Sequence, residues 1–202
     1  VIGQKLSITS RKPQTTQRRL LGIKTDEQSQ VVYIDTPGMQ SKYKDSLNRY
    51  MRREITNALL HIDVLVFMVE SLKWTDADEE ILETIETTKN PVLLLINKID
   101  RTRNKELLLP FIEKLSKRMS FADVIPISAG KNINIGEFES AIKKLLPPGG
   151  AEFPDDQMTD RSERYIAAEF IREKLIRKLG EELPYRITVT IEKFTEEKEG
   201  LT

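Results

Sequence analysis

The 202-residue sequence predicts a doubly wound α/β fold with a mostly parallel sheet, followed by part of an α+β domain. Three observations carry this. Short, almost continuously apolar runs such as Val64–Val69 and Val92–Ile96 alternate with longer amphipathic segments. Strands of that composition are buried on both faces, which places helices on both sides of a parallel sheet. Then Pro147-Pro148-Gly149-Gly150 breaks the pattern, and a single helix and a single period-two strand follow it.

Taken in order, Val31–Ile34 reads as a strand, β-branched and aromatic, ending at Asp35-Thr36-Pro37-Gly38. Ser46–His61 reads as a helix, with Leu47, Tyr50, Met51, Ile55, Leu59 and Ile62 near helical spacing. Asp63–Val69 is the next strand, and Asp76–Thr88 a helix with Ile81, Leu82 and Ile85 on one side. Pro91 opens the strand Val92–Ile96; a helix over Asn104–Met119, a strand over Asp123–Ile127 and a helix over Gly136–Leu146 complete the alternation. Residues 151–160 are acidic, contain Pro154 and read as a linker. A long helix then runs from Arg161 or Ser162 to Leu179, ended by Gly180, with Ile166, Phe170, Leu175 and Leu179 suiting a packed face. Arg186–Glu192 alternates with period two, and Ile187, Val189 and Ile191 are its core-facing set.

Composition excludes several classes. With no Cys there is no disulfide scaffold, thiolate nucleophile or Cys-based metal centre, and one histidine, His61, rules out a multi-His site. No run approaches the ~18 apolar residues that a membrane helix needs. The net charge is zero but uneven. Residues 1–53 carry 11 Lys/Arg and 4 Asp/Glu, whereas residues 151–202 carry 9 and 13. The basic end is a candidate contact for phosphate, in a nucleotide or in RNA.

Three short motifs fall just after strands, where ligands bind in open parallel sheets. Asn97-Lys98-Ile99-Asp100 follows Val92–Ile96. A carboxylate accepts two hydrogen bonds side by side, and guanine offers such a donor pair in its N1–H and exocyclic amino group. Adenine does not, so Asp100 can select guanine by leaving adenine unpaired, although the same letters also make an ordinary strand-to-helix turn with Asn and Asp as capping groups. Asn97 can tie loops together, and Lys98 can lay its alkyl stem along the base. Asp35-Thr36-Pro37-Gly38 supplies a carboxylate able to orient magnesium and a glycine that lets backbone approach a phosphate, although the same letters make a good β-turn. Ser128-Ala129 follows the Asp123–Ile127 strand and means little alone. Asp35 precedes Asn97 by 62 residues and Asn97 precedes Ser128 by 31, and this order resembles the guanine-nucleotide signature of the GTPase superfamily.

Ser7-Ile8-Thr9-Ser10-Arg11-Lys12-Pro13-Gln14-Thr15-Thr16-Gln17-Arg18 is similar to the first switch of the Era family, GTPases with a C-terminal RNA-binding KH domain. Phe153–Ser162 resembles that family's interdomain region, and Leu179–Tyr185 the early part of its KH domain. The resemblance implies a P-loop NTPase-type domain over residues 1–148 that lacks its first strand and phosphate loop. It implies a linker over 149–160 and the N-terminal part of a KH domain over 161–202. It implies that Thr16 ligates Mg2+ and senses the γ-phosphate, that Asp35 is a further magnesium residue, and that Thr36 and Pro37 accompany Gly38, the γ-phosphate sensor. Asn97, Lys98 and Asp100 then read the base of GTP or GDP, with Ser128 and Ala129 completing the set.

The implied activity is hydrolysis of GTP to GDP and phosphate, gating contact with 16S rRNA during assembly of the 30S ribosomal subunit. The implied location is the cytoplasm, with room for a peripheral contact on the inner face of the membrane. Two departures stand out. No G-x-x-x-x-G-K-[S/T] loop and no KH-type G-x-x-G occurs. Both belong beyond the ends of this sequence in the family, so the expectation is a chain truncated at both ends. Met39 stands where Ras-type GTPases orient water with Gln, and the neighbouring Gln40 is not assigned. The rival expectation is a non-catalytic RNA-binding assembly factor with a vestigial nucleotide pocket.

Overall fold

The computed structural model describes residues 1–7, 19–35, 59, 61–178 and 187–194. They fall into two compact units, one within residues 39–150 and one of residues 2–38 with 151–202.

In the first unit, strands β3 (Leu65–Glu70), β4 (Val92–Asn97) and β5 (Asp123–Pro126) form a parallel sheet in that order. Helix α1 (Asp76–Ile85) connects β3 to β4, α2 (Leu108–Ser116) connects β4 to β5, and α3 (Ile135–Leu145) follows β5. Strand β4 is central, so both its faces are covered, and Val92 through Ile96 are all at most 1% exposed. On one face Leu94 and Ile96 pack with Phe67, Val69, Leu82, Ile85 and Leu115. Leu93 and Leu95 alternate to the other face, and α3, which packs against β5, buries Phe138, Ala141 and Ile142.

Local chemistry sets the helix ends. Thr75 caps α1 with a reciprocal box: its Oγ1 accepts from Asp78 N at 3.3 Å while its own N–H donates to Asp78 Oδ2 at 2.8 Å. Thr75→Ala is expected to cost about 1 kcal/mol, read as a lower melting temperature. The expected Asn104–Met119 helix begins instead as a 3-10 turn, Lys105–Leu107, capped by Asn104, before α2 starts at Leu108. Pro110 sits in the first turn of α2, where its missing N–H has no intrahelical partner to lose. Trp74 is half-buried, edge-on to Phe67 at 6.0 Å, and donates from Nε1 to Glu79 at 2.7 Å. The Arg118 guanidinium pairs with the same carboxylate and lies 5.4 Å from the indole centre.

In the second unit, β1 (Leu20–Thr25) pairs antiparallel with β2 (Gln30–Asp35), Leu20 opposite Asp35. Strand β1 was not expected. The turn between the strands is closed by Asp26, whose Oδ1 accepts from the backbone of Gln28 and Ser29. Gly22 in β1 packs closely under Ile2, and a Cβ there would lie 3.1 Å from Ile2 Cδ1. The residues expected as a linker run along this hairpin. Ile23 N donates to Met158 O at 2.8 Å, and the Gln30 side chain accepts from Glu152 and Phe153 N while donating to Phe153 O.

Helix α4 (Glu163–Lys178) corrects two expectations. Its buried residues are Arg172, Glu173 and Ile176, whereas Ile166, Phe170 and Leu175 are only half-buried and Leu179 lies outside the described residues. The buried charges are tolerated because they are paired: Glu169 takes two bonds from Arg172 at 2.8 and 2.7 Å, and Glu173 lies 2.6 Å from Lys5 and 2.5 Å from Arg177. The second correction is the Arg186–Glu192 strand. Its described part, 187–192, is in no strand, because a strand exists only through hydrogen bonds to a neighbour, and what meets Ile191 O here is the Arg164 guanidinium. The Ser46–His61 helix lies largely outside the described residues; Leu59 is helical, and Asn90 Nδ2 donates to the carbonyls of Leu59 and Ile62. Among the described residues, no helix is long and apolar enough to cross a membrane.

Candidate functional site

Asn97 is the last residue of β4, and the chain turns sharply there. Lys98 adopts a left-handed conformation (φ 65°, ψ 33°), after which Ile99–Arg101 form a 3-10 turn. Two features secure this turn: Asn97 Oδ1 accepts from Lys98 N at 2.7 Å, and Ile99 N donates to Ile127 O at 3.2 Å. The same Asn97 oxygen accepts from Ala129 N at 3.1 Å, so one amide joins the loops after β4 and β5. Ser128, 1% exposed, donates from Oγ to Asp100 Oδ1 at 2.5 Å. Its backbone exchanges hydrogen bonds with Ile133 at 3.1 and 3.0 Å, which holds the β5 loop rigid. Asn134, left-handed at φ 57°, donates to Pro126 O at 2.8 Å.

The structure therefore brings Asn97, Lys98, Asp100, Ser128 and Ala129 together at the carboxyl ends of β4 and β5. The solvent-exposed Asp100 carboxylate is anchored from behind by a buried hydroxyl. This is the arrangement needed to present a fixed acceptor pair to a flat donor edge. Asp35 ends β2 in the other unit. Thr16, Thr36, Pro37 and Gly38 lie outside the described residues. Among the described residues no cluster of three or more His, Asp or Glu could hold a metal. Asp35 is a hard oxygen donor of the kind magnesium prefers.

The sequence reading missed two residues of this cluster. Glu70 Oε2 lies 2.9 Å from Lys98 Nζ, and Ser71 N donates to Asn97 O at 2.8 Å. The available signal was position: both directly follow the strand Asp63–Val69, at the same sheet edge as the motifs. The Lys98 hydrogen bond holds the Glu70 carboxyl below its ordinary value against the opposing effect of burial, aided by the charges of Lys98, Lys73 and Arg101. A depressed carboxyl stabilises the fold fully above its ordinary range and loses that contribution as pH falls through the lowered value. The pair thus strengthens the loop at neutral pH and releases it in acid.

A family model for 50S ribosome-binding GTPases matches residues 1–98. GTPase Era of Marinobacter nauticus is 53% identical over 194 residues, 96% of this chain and 64% of its own length. GTPase Era of Pseudomonas fluorescens is 47% identical over 201 residues, 100% of this chain and 67% of its own. The chain belongs to the Era family of GTPases. A crystal structure of Era in complex with MgGDPNP and nucleotides 1506-1542 of 16S ribosomal RNA is 37% identical, with a TM-score of 0.83 over 91% of this chain and 62% of that one. The fold is accordingly of the P-loop NTPase type. This Era-family chain spans about two thirds of the length of these curated relatives.

Proposed function

We propose that the protein is a GTP-binding, GTP-hydrolysing switch that binds small-subunit ribosomal RNA and assists assembly of the 30S subunit. The observation that carries it is the Asp100–Ser128 and Asn97–Ala129 pairing, a preformed acceptor site of the type guanine requires. In this reading Asp100 accepts from guanine N1–H and the exocyclic amino group. Ser128 and Ala129 close the pocket beyond it, Asn97 locks the two loops, and Lys98 lines the base. Thr16 and Asp35 hold Mg2+, whose charge offsets that of the phosphates. Thr36, Pro37 and Gly38 meet the γ-phosphate. Water attacks the γ-phosphorus, the bond to the β–γ bridging oxygen breaks, and GDP and phosphate leave. Met39 cannot polarise the water, so positioning and charge neutralisation carry the rate, and slow intrinsic turnover is expected.

The G domain is assigned to residues 1–148, the linker to 149–160 and the start of a KH domain to 161–202. RNA comes from the Era relative whose crystal structure contains a 16S segment together with a magnesium-bound GTP analogue. A cytoplasmic location with peripheral contact on the inner membrane face completes the proposal. The decisive experiment extends the chain at both ends to the length of its Era relatives. GTP, GDP, ATP and ADP affinities are then measured by calorimetry, phosphate release by coupled assay, and binding to 30S and 50S subunits by co-sedimentation. Guanine-specific binding with slow hydrolysis and 30S preference is expected. Binding of neither nucleotide class, or of 50S alone, would sink the reading.

A further inference from the structure

We propose that Glu70 and Ser71, at the carboxyl end of β3, are positioning residues of the base-reading loop, and that guanine-nucleotide affinity depends on the Glu70–Lys98 ion pair. The inference rests on the guanine-nucleotide reading above and adds to it a part of the site that no sequence motif marks.

A lysine in the left-handed region is disfavoured and persists only where its surroundings over-determine it. Around Lys98 they do, through a third loop as well as the two that carry the motifs. Ser71 N donates to Asn97 O at 2.8 Å, immediately before the turn. Ser71 Oγ and Thr102 Oγ1 share a hydrogen bond of 2.7 Å immediately after it. Glu70 Oε2 takes the far end of the Lys98 side chain at 2.9 Å. The β3 loop is itself held tight, with Leu72 left-handed at φ 57° and Lys73 N donating to Glu70 O at 3.1 Å. Among the described residues, positive φ outside glycine occurs at Leu72, Lys98, Asn132 and Asn134. All four follow β3, β4 or β5, on the side of the sheet where ligands bind. Strain concentrated there marks a preorganised site spanning three loops.

The physical consequence concerns Lys98. A lysine stem covers a base only if it is held extended, and a free lysine has many rotamers to lose on binding. Here the stem is fixed at its backbone end by Asn97 and at its ammonium end by Glu70. Glu70→Gln keeps the shape and removes the charge, so the ammonium is released and binding must order the stem again. Lys73 Nζ, 4.0 Å from the same carboxylate, is a weaker second partner.

The test uses the chain extended to the length of its Era relatives, with GDP and ADP as probes in calorimetry. The Glu70→Gln variant is expected to bind GDP about five- to tenfold more weakly, with its preference for GDP over ADP intact because Asp100 is untouched. In a Lys98→Met background the same substitution should change GDP affinity less than about twofold. Ser71→Ala should weaken GDP binding in both backgrounds, since the bond it removes, Ser71 Oγ to Thr102 Oγ1, braces the end of the turn and does not involve the Lys98 side chain. Melting temperature and Trp74 fluorescence report whether each variant is folded. Unchanged GDP affinity in Glu70→Gln overturns the proposal, and so does an equal loss with and without Lys98, because the residue would then act only on general stability. Absence of guanine binding by the unmutated protein would fell the functional reading itself, a result distinct from either.

Discussion

Replacing Asp100 by alanine is expected to weaken GDP binding by more than about a hundredfold in the extended chain, the largest functional effect of any single substitution considered. The carboxylate accepts two charge-assisted hydrogen bonds from guanine in the proposed complex, each contributing about 1.5–3 kcal/mol, and a combined loss of about 3 kcal/mol already exceeds a hundredfold. The variant also strips the acceptor from Ser128, whose hydroxyl donates to Asp100 at 2.5 Å and which is only 1% exposed. The loss therefore extends to the loop after β5. Asp100→Asn separates the two effects: its amide oxygen still accepts from Ser128, but it faces guanine with a donor where an acceptor is needed. Asn should weaken GDP yet favour a base carrying one donor and one acceptor on that edge, as xanthine does. Calorimetry with GDP and XDP reads both outcomes. GDP affinity within threefold of the unmutated protein for Asp100→Ala would show that the base is not read here.

The largest stability effect is expected from Leu94→Ala, about 2–5 kcal/mol. Leu94 is 0% exposed, in the middle of β4, between β3 and β5 and beneath α1 and α2. The backbone on either side is fixed by two parallel ladders, so the surroundings cannot collapse into the space, and both transfer and cavity terms are lost. Against a total of about 5–15 kcal/mol for a domain, this approaches unfolding. Urea denaturation followed by the fluorescence of Trp74, which packs on the same cluster, measures it. Leu109→Ala is the matched control: Leu109 is 74% exposed, and the change is expected to stay within about 0.5 kcal/mol.

The alternation of β3, α1, β4, α2, β5 and α3 was legible because each element satisfies its own hydrogen bonds locally or in a fully apolar run. The strand boundaries moved by one or two positions, two helices ended three residues early, at Ile85 and Ser116, and the helix beginning at Asn104 was delayed by a 3-10 turn. Strand β1 was not expected because Leu20-Leu21-Gly22-Ile23 carries a glycine, which weakens a strand pattern; in the fold Gly22 packs closely under Ile2. The Arg186–Glu192 pattern has the right period, but its described part, 187–192, pairs with no strand among the described residues, and a period alone does not make a sheet. In α4 no local pattern marks Glu173 as buried; Lys5, 168 residues away in sequence, pairs with it there together with Arg177.

The site divides along the same line. The proposed base-reading groups, Asn97, Lys98, Asp100, Ser128 and Ala129, are legible in the sequence alone, since donor and acceptor chemistry belongs to the residue type and each lies directly after an apolar strand. Only the tertiary structure decided that Glu70 and Ser71 join them. Those contacts depend on β3 lying parallel to β4 in the register that sets Glu70 beside Asn97. Register is a property of two strands packed together, and the nearly continuous apolar runs of β3 and β4 carry no alternation that would set it.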